Sequence, residues 1–226
     1  MTRRTIAIVA LVMSVLAAHA PAQTPVYEIT MPRMYSPRVD GDLSDLAWSE
    51  VSQLNAKFVV DLAANGYARV KRPRVGYMGY DRHALYFAFI DYAPDPSKLS
   101  ANEKAFHHGD DIEVYLHFNK EKPVEYVQVI VIPSGSVTVN SADKKERPVD
   151  HLQAATTKTG ICWYTELAIP FAFLGVEPPE PGDVWLMNIC GRQWGQKTTT
   201  GGWLSWCPTY GGFGNPKRAA RVTFGD

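Results

Sequence analysis

The chain has 226 residues, of which 46% are hydrophobic, 20% charged and 12% aromatic, proportions that exclude a disordered, collagenous or coiled-coil protein. Lys plus Arg and Asp plus Glu each number 23, so no net field gathers DNA, RNA or an anionic membrane, and nucleic acid is not an expected partner. Sixteen Pro and seventeen Gly, scattered among many Val, Tyr, Phe and Trp, favour many short strands over long helices.

Arg3 and Arg4 precede an apolar run from Ile6 to Ala18, and Ala20-Pro21-Ala22 supplies small residues where a signal peptidase reads them. The run is short for a bilayer span, and no later apolar stretch reaches about 18 residues. Residues 1–22 are therefore expected to be a signal peptide and 23–226 a single exported domain, secreted or periplasmic, with no transmembrane anchor. Losing Arg3 and Arg4 leaves 21 basic against 23 acidic residues, a net charge of about −2. Cys162, Cys190 and Cys207 are odd in number: at least one thiol stays free or pairs between chains, and all three can be buried and reduced. Their spacing does not suit structural zinc.

In chain order, Val26 to Thr30 is extended. Leu43 to Trp48 then reads as a short helix capped by Asp42 or Ser44, with Leu43, Leu46, Ala47 and Trp48 tucked under a core edge. Lys57 to Val60 is a strand, and Arg74 to Tyr80 and Leu85 to Asp91 flank a polar turn as a hairpin. From Asp111 to Phe118 the pattern alternates: Ile112, Val114, Leu116 and Phe118 take one face, Asp111, Glu113, Tyr115 and His117 the other. Glu125 to Ile132 and Ser136 to Asn140 follow as strands, Asp143 to Arg147 as a solvated loop tip. His151 to Thr157 and Ile161 to Ile169 pair next. Pro170 to Leu174 is one helical turn ended by Gly175. In Val184 to Trp194, Trp185, Met187 and Ile189 alternate with Asn188, Cys190, Arg192 and Trp194, and Ala219 to Phe224 closes the domain. About ten short strands without a long helix define an all-β fold, an antiparallel β-sandwich of jelly-roll or immunoglobulin-like type.

No nucleophile elbow, P-loop, dinucleotide fingerprint or zinc-protease pattern occurs, so nothing in the sequence points to an enzyme. Asp111 and Glu113, two apart on one strand face, lie at a separation of roughly 7 Å compatible with glycosidase chemistry and equally with a hydrogen-bonding rim. His107, His108 and Asp110 imitate a metal or acid–base cluster but read more simply as solvated loop polarity. A haem site would draw on Met78, Met187, His107 and His108.

Five blocks, in order, resemble family 9 carbohydrate-binding modules. They are Val39 to Trp48; Val75-Gly76-Tyr77 with Tyr80-Asp81 and Leu85 to Phe89; Gly109 to Leu116; Trp163 to Phe171; and Pro181 to Arg192. Together they span nearly the whole expected mature chain. The resemblance implies a sandwich that binds glucose- or xylose-type sugars, often at chain ends, between aromatic rings, with calcium as a structural ion. Asp40, Asp42 and Asp45 are hard oxygen ligands at close spacing, but an Asp-Gly turn beside a helix cap explains them equally, and metal ligands stay unassigned. The alternatives are a haem b redox domain on the related sandwich of DOMON-type cytochromes, and a small polysaccharide-active enzyme.

Sugar chemistry bears on the same residues. A pyranose presents a C–H face that sits on an aromatic ring, while its hydroxyls need fixed donors and acceptors. The row Asn188, Arg192 and Trp194 has that composition, and Glu113, Tyr115, Tyr126 and Gln128 join it if their polar faces line the same sheet surface. Trp203 and Trp206 lie in a segment too glycine-rich to bury both rings easily. Family 9 modules place a stacking Trp before the Glu113 strand; here Phe106 or His108 takes that position. Trp48, Trp163 and Trp185 belong to apolar patterns and are expected in the core. The expected function is an exported, non-catalytic domain that binds glucan- or xylan-type carbohydrate.

Overall fold

The computed structural model describes residues 27–122, 124–142, 147–194 and 202–226. The expected signal peptide and most of the Asp143 to Arg147 loop lie outside the described residues. Among these, twelve strands form: β1 (Glu28–Met31), β2 (Lys57–Ala63), β3 (Arg69–Tyr80), β4 (Ala84–Tyr92), β5 (Asp111–His117), β6 (Val127–Val131), β7 (Val137–Ser141), β8 (Gln153–Thr159), β9 (Cys162–Pro170), β10 (Val184–Arg192), β11 (Trp203–Ser205) and β12 (Ala220–Phe224).

Strand β10 organises the topology. One edge pairs with β5, while the other pairs with β12 at Val184–Met187 and with β11 at Cys190–Arg192. β11 continues onto β2, so one hydrogen-bonded sheet folds into two facing layers, β7-β6-β5-β10-β12-β1 and β2-β3-β4-β9-β8. The β1–β12 pair is parallel. Ile112, Val114, Leu116, Trp185, Met187 and Ile189 of the first layer pack against Phe58, Phe87, Phe89, Leu167 and Ile169 of the second in one core. Burying each such side chain contributes about 1.5–3 kcal/mol. A one-residue slip of β5 would exchange Ile112, Val114 and Leu116 for Asp111, Glu113 and Tyr115, so the expected face assignment holds.

Helix α1 (Leu46–Gln53) begins later than expected, with Asp45 at its N-cap. Asp40 and Asp42 instead accept from the backbone N–H groups of Asp42 and Ser44 in successive turns, and Asp45 accepts from the Arg38 N–H. Ala47 and Trp48 are buried as expected, but Leu46 is 70% exposed because it faces away from the sheet. Trp48 packs with Tyr86, Ala88 and Ala168 on the outer side of the second layer, and Trp163 and Trp185 lie in the main core. The turn α2 (Phe171–Leu174) ends at Gly175, whose φ of 72° is the left-handed conformation glycine adopts without strain. The glycine-rich segment around Trp203 carries no strand pattern, yet β11 forms there because β10 and β2 supply backbone partners on both sides. The three cysteines are all free thiols, Cys190 and Cys207 buried.

Candidate functional site

The outward face of β5 and its neighbours forms the floor of the site. Glu113 is opposite Ile130 on β6, Tyr115 opposite Gln128, and Gln128 opposite Asn140 on β7. These side chains join into a directed chain: Asn140 Nδ2 donates to Gln128 Oε1 at 3.0 Å, and Gln128 Nε2 donates to Glu113 Oε2 at 2.5 Å. Tyr115 OH donates to the same carboxylate oxygen at 3.1 Å. Glu113, Tyr115 and Gln128 are almost wholly covered, so their geometry is set before any ligand arrives. Burial raises the Glu113 carboxyl even against these donors, and burial followed by repulsion from Glu113 raises Asp111 well above the usual carboxylate range. Asp111 Oδ1 accepts from the backbone N–H of Arg192 at 2.7 Å, so one member of the acid pair belongs to the floor and the other also holds the end of β10.

The end of β10 is held with unusual redundancy. Asp110 accepts from the Trp194 N–H at 3.2 Å and from the Ser100 N–H at 2.8 Å, and pairs with Arg72. Arg74 is fully buried against Asp91, donating to Oδ2 at 3.0 and 2.8 Å, and also donates to the carbonyls of Cys190 and Asp111. Arg74 therefore ties β3 and β4 of one layer to β5 and β10 of the other directly beneath the site. Its approach requires Gly191, where an added Cβ would stand 2.4 Å from the Asp111 carbonyl oxygen and 2.8 Å from Arg74 Nη1. Losing either partner would leave a buried charge uncompensated.

Above the floor lies a groove of about 720 Å³, walled by Trp203, Tyr210 and Phe213 and closed along one side by Ala64 and Asn65. Trp203 and Phe213 meet edge to face with centroids 5.6 Å apart, and Phe213 meets Tyr115 at 6.1 Å. The Arg192 guanidinium is clasped between two indoles, 4.4 Å from the centroid of Trp194 and 4.9 Å from that of Trp203. Such cation–π contacts fix the ring planes. Trp194 is 45% exposed.

Of the residues expected from sequence, Glu113, Tyr115, Gln128 and Trp203 line the groove, and Arg192 and Trp194 flank it through Trp203. Tyr126 packs behind Tyr115, with centroids 5.2 Å apart. Two expectations are corrected. Asn188 shares the outward face but is fully buried, because the chain returning after β11 covers it: Nδ2 donates to Ser205 Oγ and the Cys207 carbonyl, and Oδ1 accepts from the Cys207 N–H. Trp206 is in the core, its ring centroid 4.9 Å from that of Phe58, since strand β11 turns it inward. Phe106 and His108 occupy the short 3-10 turn before β5 and do not line the groove. Sequence reasoning missed Asn140, Ile130 and the loop Tyr210-Gly211-Gly212-Phe213. Two aromatic residues enclosing a Gly-Gly pair were the available signal, because glycine cannot itself bury them.

Calcium and haem each test the same way, by donor chemistry. Asp40, Asp42 and Asp45 are occupied by backbone donors, and Asp40 also pairs with Arg38 at 3.0 Å. Among the described residues no three His, Cys, Asp or Glu side chains gather as a metal set, and ligands for the calcium that the resemblance implies stay unassigned. Met78 and Met187 are sealed in the core, presenting no sulfur to a cleft; His108 is exposed on its turn, and the side chain of His107 lies outside the described residues.

Two facing layers thus carry a polar floor on one outer face under an aromatic loop. No protein-family model matches the chain, and none of the curated proteins does. Among solved structures, a family 9 carbohydrate-binding module from Caldicellulosiruptor kristjanssonii in complex with cellotriose aligns with a TM-score of 0.67 at 16% identity, covering 88% of this chain and 93% of that one. A family 9 module from the same organism in complex with glucose gives 0.66 at 15% identity, over 88% and 97%. A candidate carbohydrate-binding protein from Bacteroides uniformis gives 0.63 at 13% identity, over 88% and 99%. At these identities the likeness is one of fold: this chain has the fold of the family 9 carbohydrate-binding modules. Among the described residues, no helix is long and apolar enough to cross a membrane.

Proposed function

We propose that this protein is an exported, non-catalytic carbohydrate-binding domain that takes glucan- or xylan-type sugars in the groove beneath Trp203, Tyr210 and Phe213. The observation that carries the reading is the pairing of an aromatic wall with a pre-ordered polar floor of Glu113, Gln128 and Asn140. A pyranose laid against Trp203 buries its C–H face on the indole, and its hydroxyls donate to Glu113 and exchange bonds with the Asn140 amide. The solved neighbours with bound cellotriose and glucose lend support to this sugar class. The engagement of Asp111 with the β10 backbone supports binding without bond cleavage. Export rests on the expected signal peptide at residues 1–22.

Isothermal titration of the purified protein with glucose, cellobiose, xylobiose and a uronic acid oligomer tests the proposal, alongside its visible spectrum. Saturable heat from a colourless protein, lost in Trp203→Ala, is the expected result. Absence of heat with every sugar, or release of reducing ends from a polysaccharide, overturns it.

A further inference from the structure

Resting on that reading, we propose that the bound glycan carries an anionic substituent, a carboxylate or sulfate ester, which docks in a basic cleft immediately beyond Tyr210. A second cavity of about 280 Å³ lies there, and Tyr210 lines both it and the groove. Tyr210 is thus shared by the two compartments. Lys217, Arg218 and Arg221 all line the second cavity, and none of the described residues lining it carries a carboxylate. In a chain whose acids and bases balance at 23 each, three cations around one small concavity are a local concentration that the net charge does not suggest.

The geometry favours an anion attached to a sugar over a free one. Tyr27 and Tyr210 give the cavity aromatic walls, suited to the C–H face of a sugar ring and of no use to a small inorganic ion. The Arg218 guanidinium stands 4.9 Å from the Tyr210 ring centroid, so the ring that bounds the groove is coupled to the cation that faces the cleft. Arg221 is also held by Glu28 at 3.6 Å, a long and exposed pair that a bidentate carboxylate or sulfate ligand can displace at little cost. Lys217 is exposed and reaches the cavity as a mobile point charge.

The test compares a neutral xylo-oligosaccharide with the same oligomer carrying one uronic acid, and with one carrying one sulfate ester, by titration calorimetry at low and high salt. At low salt one of the substituted oligomers should bind about tenfold more tightly than the neutral one, with most of that preference lost at high salt. The double variant Lys217→Gln, Arg221→Gln should erase the preference and leave affinity for the neutral oligomer unchanged. The stronger of the two substituted ligands names the anion. Equal affinity for neutral and substituted oligomers, or a preference that survives the double variant, overturns the inference while the sugar-binding reading stands. Failure of all three oligomers to bind overturns the inference, and the sugar-binding reading falls with it only if glucose and cellobiose also give no heat.

Discussion

The indole N–H of Trp48 donates to Glu166 Oε1 at 2.7 Å across 118 positions of sequence. The other carboxylate oxygen of Glu166 accepts the backbone N–H groups of Asp40 and Gly41 at 2.9 and 2.7 Å. Two of the sequence blocks that carry the family resemblance, Val39 to Trp48 and Trp163 to Phe171, are thus joined by one carboxylate. Their shared role is to dock α1 and its leading turn on the outer side of the second layer, remote from the groove. Glu166→Ala strands three donors and should destabilise the fold by about 2–4 kcal/mol, measured by urea denaturation. Sugar affinity of the folded protein should be unchanged; a parallel loss of affinity would show that α1 communicates with the groove.

Titration should follow a definite sign. Burial raises Asp91, Asp111, Glu113 and Glu166 above ordinary carboxylate values. The stability each contributes is fully present below its unfolded pKa, about 4, and is lost as pH rises through the raised folded value. Asp81 opposes this, since bonds from Ser36, His83, Ala84 and Tyr86 outweigh its burial and lower it; its contribution is lost on acidification. Asp95 and Asp183 are also lowered, by bonds from Lys98 and Lys120, but solvent screens these exposed groups. The four buried carboxyls therefore dominate, and the urea midpoint should be at least as high at pH 5 as at pH 8. A steady fall in the midpoint between pH 8 and pH 5 would contradict the assignment.

Tryptophans 203 and 206, three positions apart, should separate cleanly. Trp203→Ala removes a groove wall and should weaken sugar binding at least tenfold with a stability cost near 1 kcal/mol. Trp206→Ala opens the core against Phe58 and should cost about 3–5 kcal/mol. Thermal unfolding beside calorimetric titration distinguishes the two, and equal stability losses would refute the inward placement of Trp206 alone.

Asn188→Leu tests the corrected role of that residue. Its amide is saturated by Ser205 and Cys207, so the change strands the Cys207 N–H, while the Cys207 carbonyl keeps the Ser205 hydroxyl, and should cost about 1–3 kcal/mol. Binding should weaken only as far as the loop carrying Tyr210 and Phe213 shifts. Abolished binding in a variant of unchanged stability would mean that Asn188 touches sugar after all.

Chelation should leave the thermal midpoint where it is, because the carboxylates of Asp40, Asp42 and Asp45 are already used by backbone donors and Arg38. A midpoint that drops with EDTA and recovers with calcium would restore the structural ion.

The sequence by itself determined most of the strands, though not β11, and the faces of β5 and β10, because alternation with period two is a local property that burial enforces at every second residue. It also located Glu113, Tyr115, Gln128 and Trp203, whose residue types suit a sugar and which do line the groove. What it did not contain was coverage. Asn188 and Arg192 stand on the same strand face, yet one is sealed and the other clasped between indoles. The difference is made by a chain segment that returns across β10 some twenty residues later, a contact between distant positions that no local pattern encodes. Tertiary structure likewise decided that the Tyr210–Phe213 loop walls the groove and that Asp110 and Asp111 hold the backbone at the end of β10, since both depend on which strand ends meet across the fold.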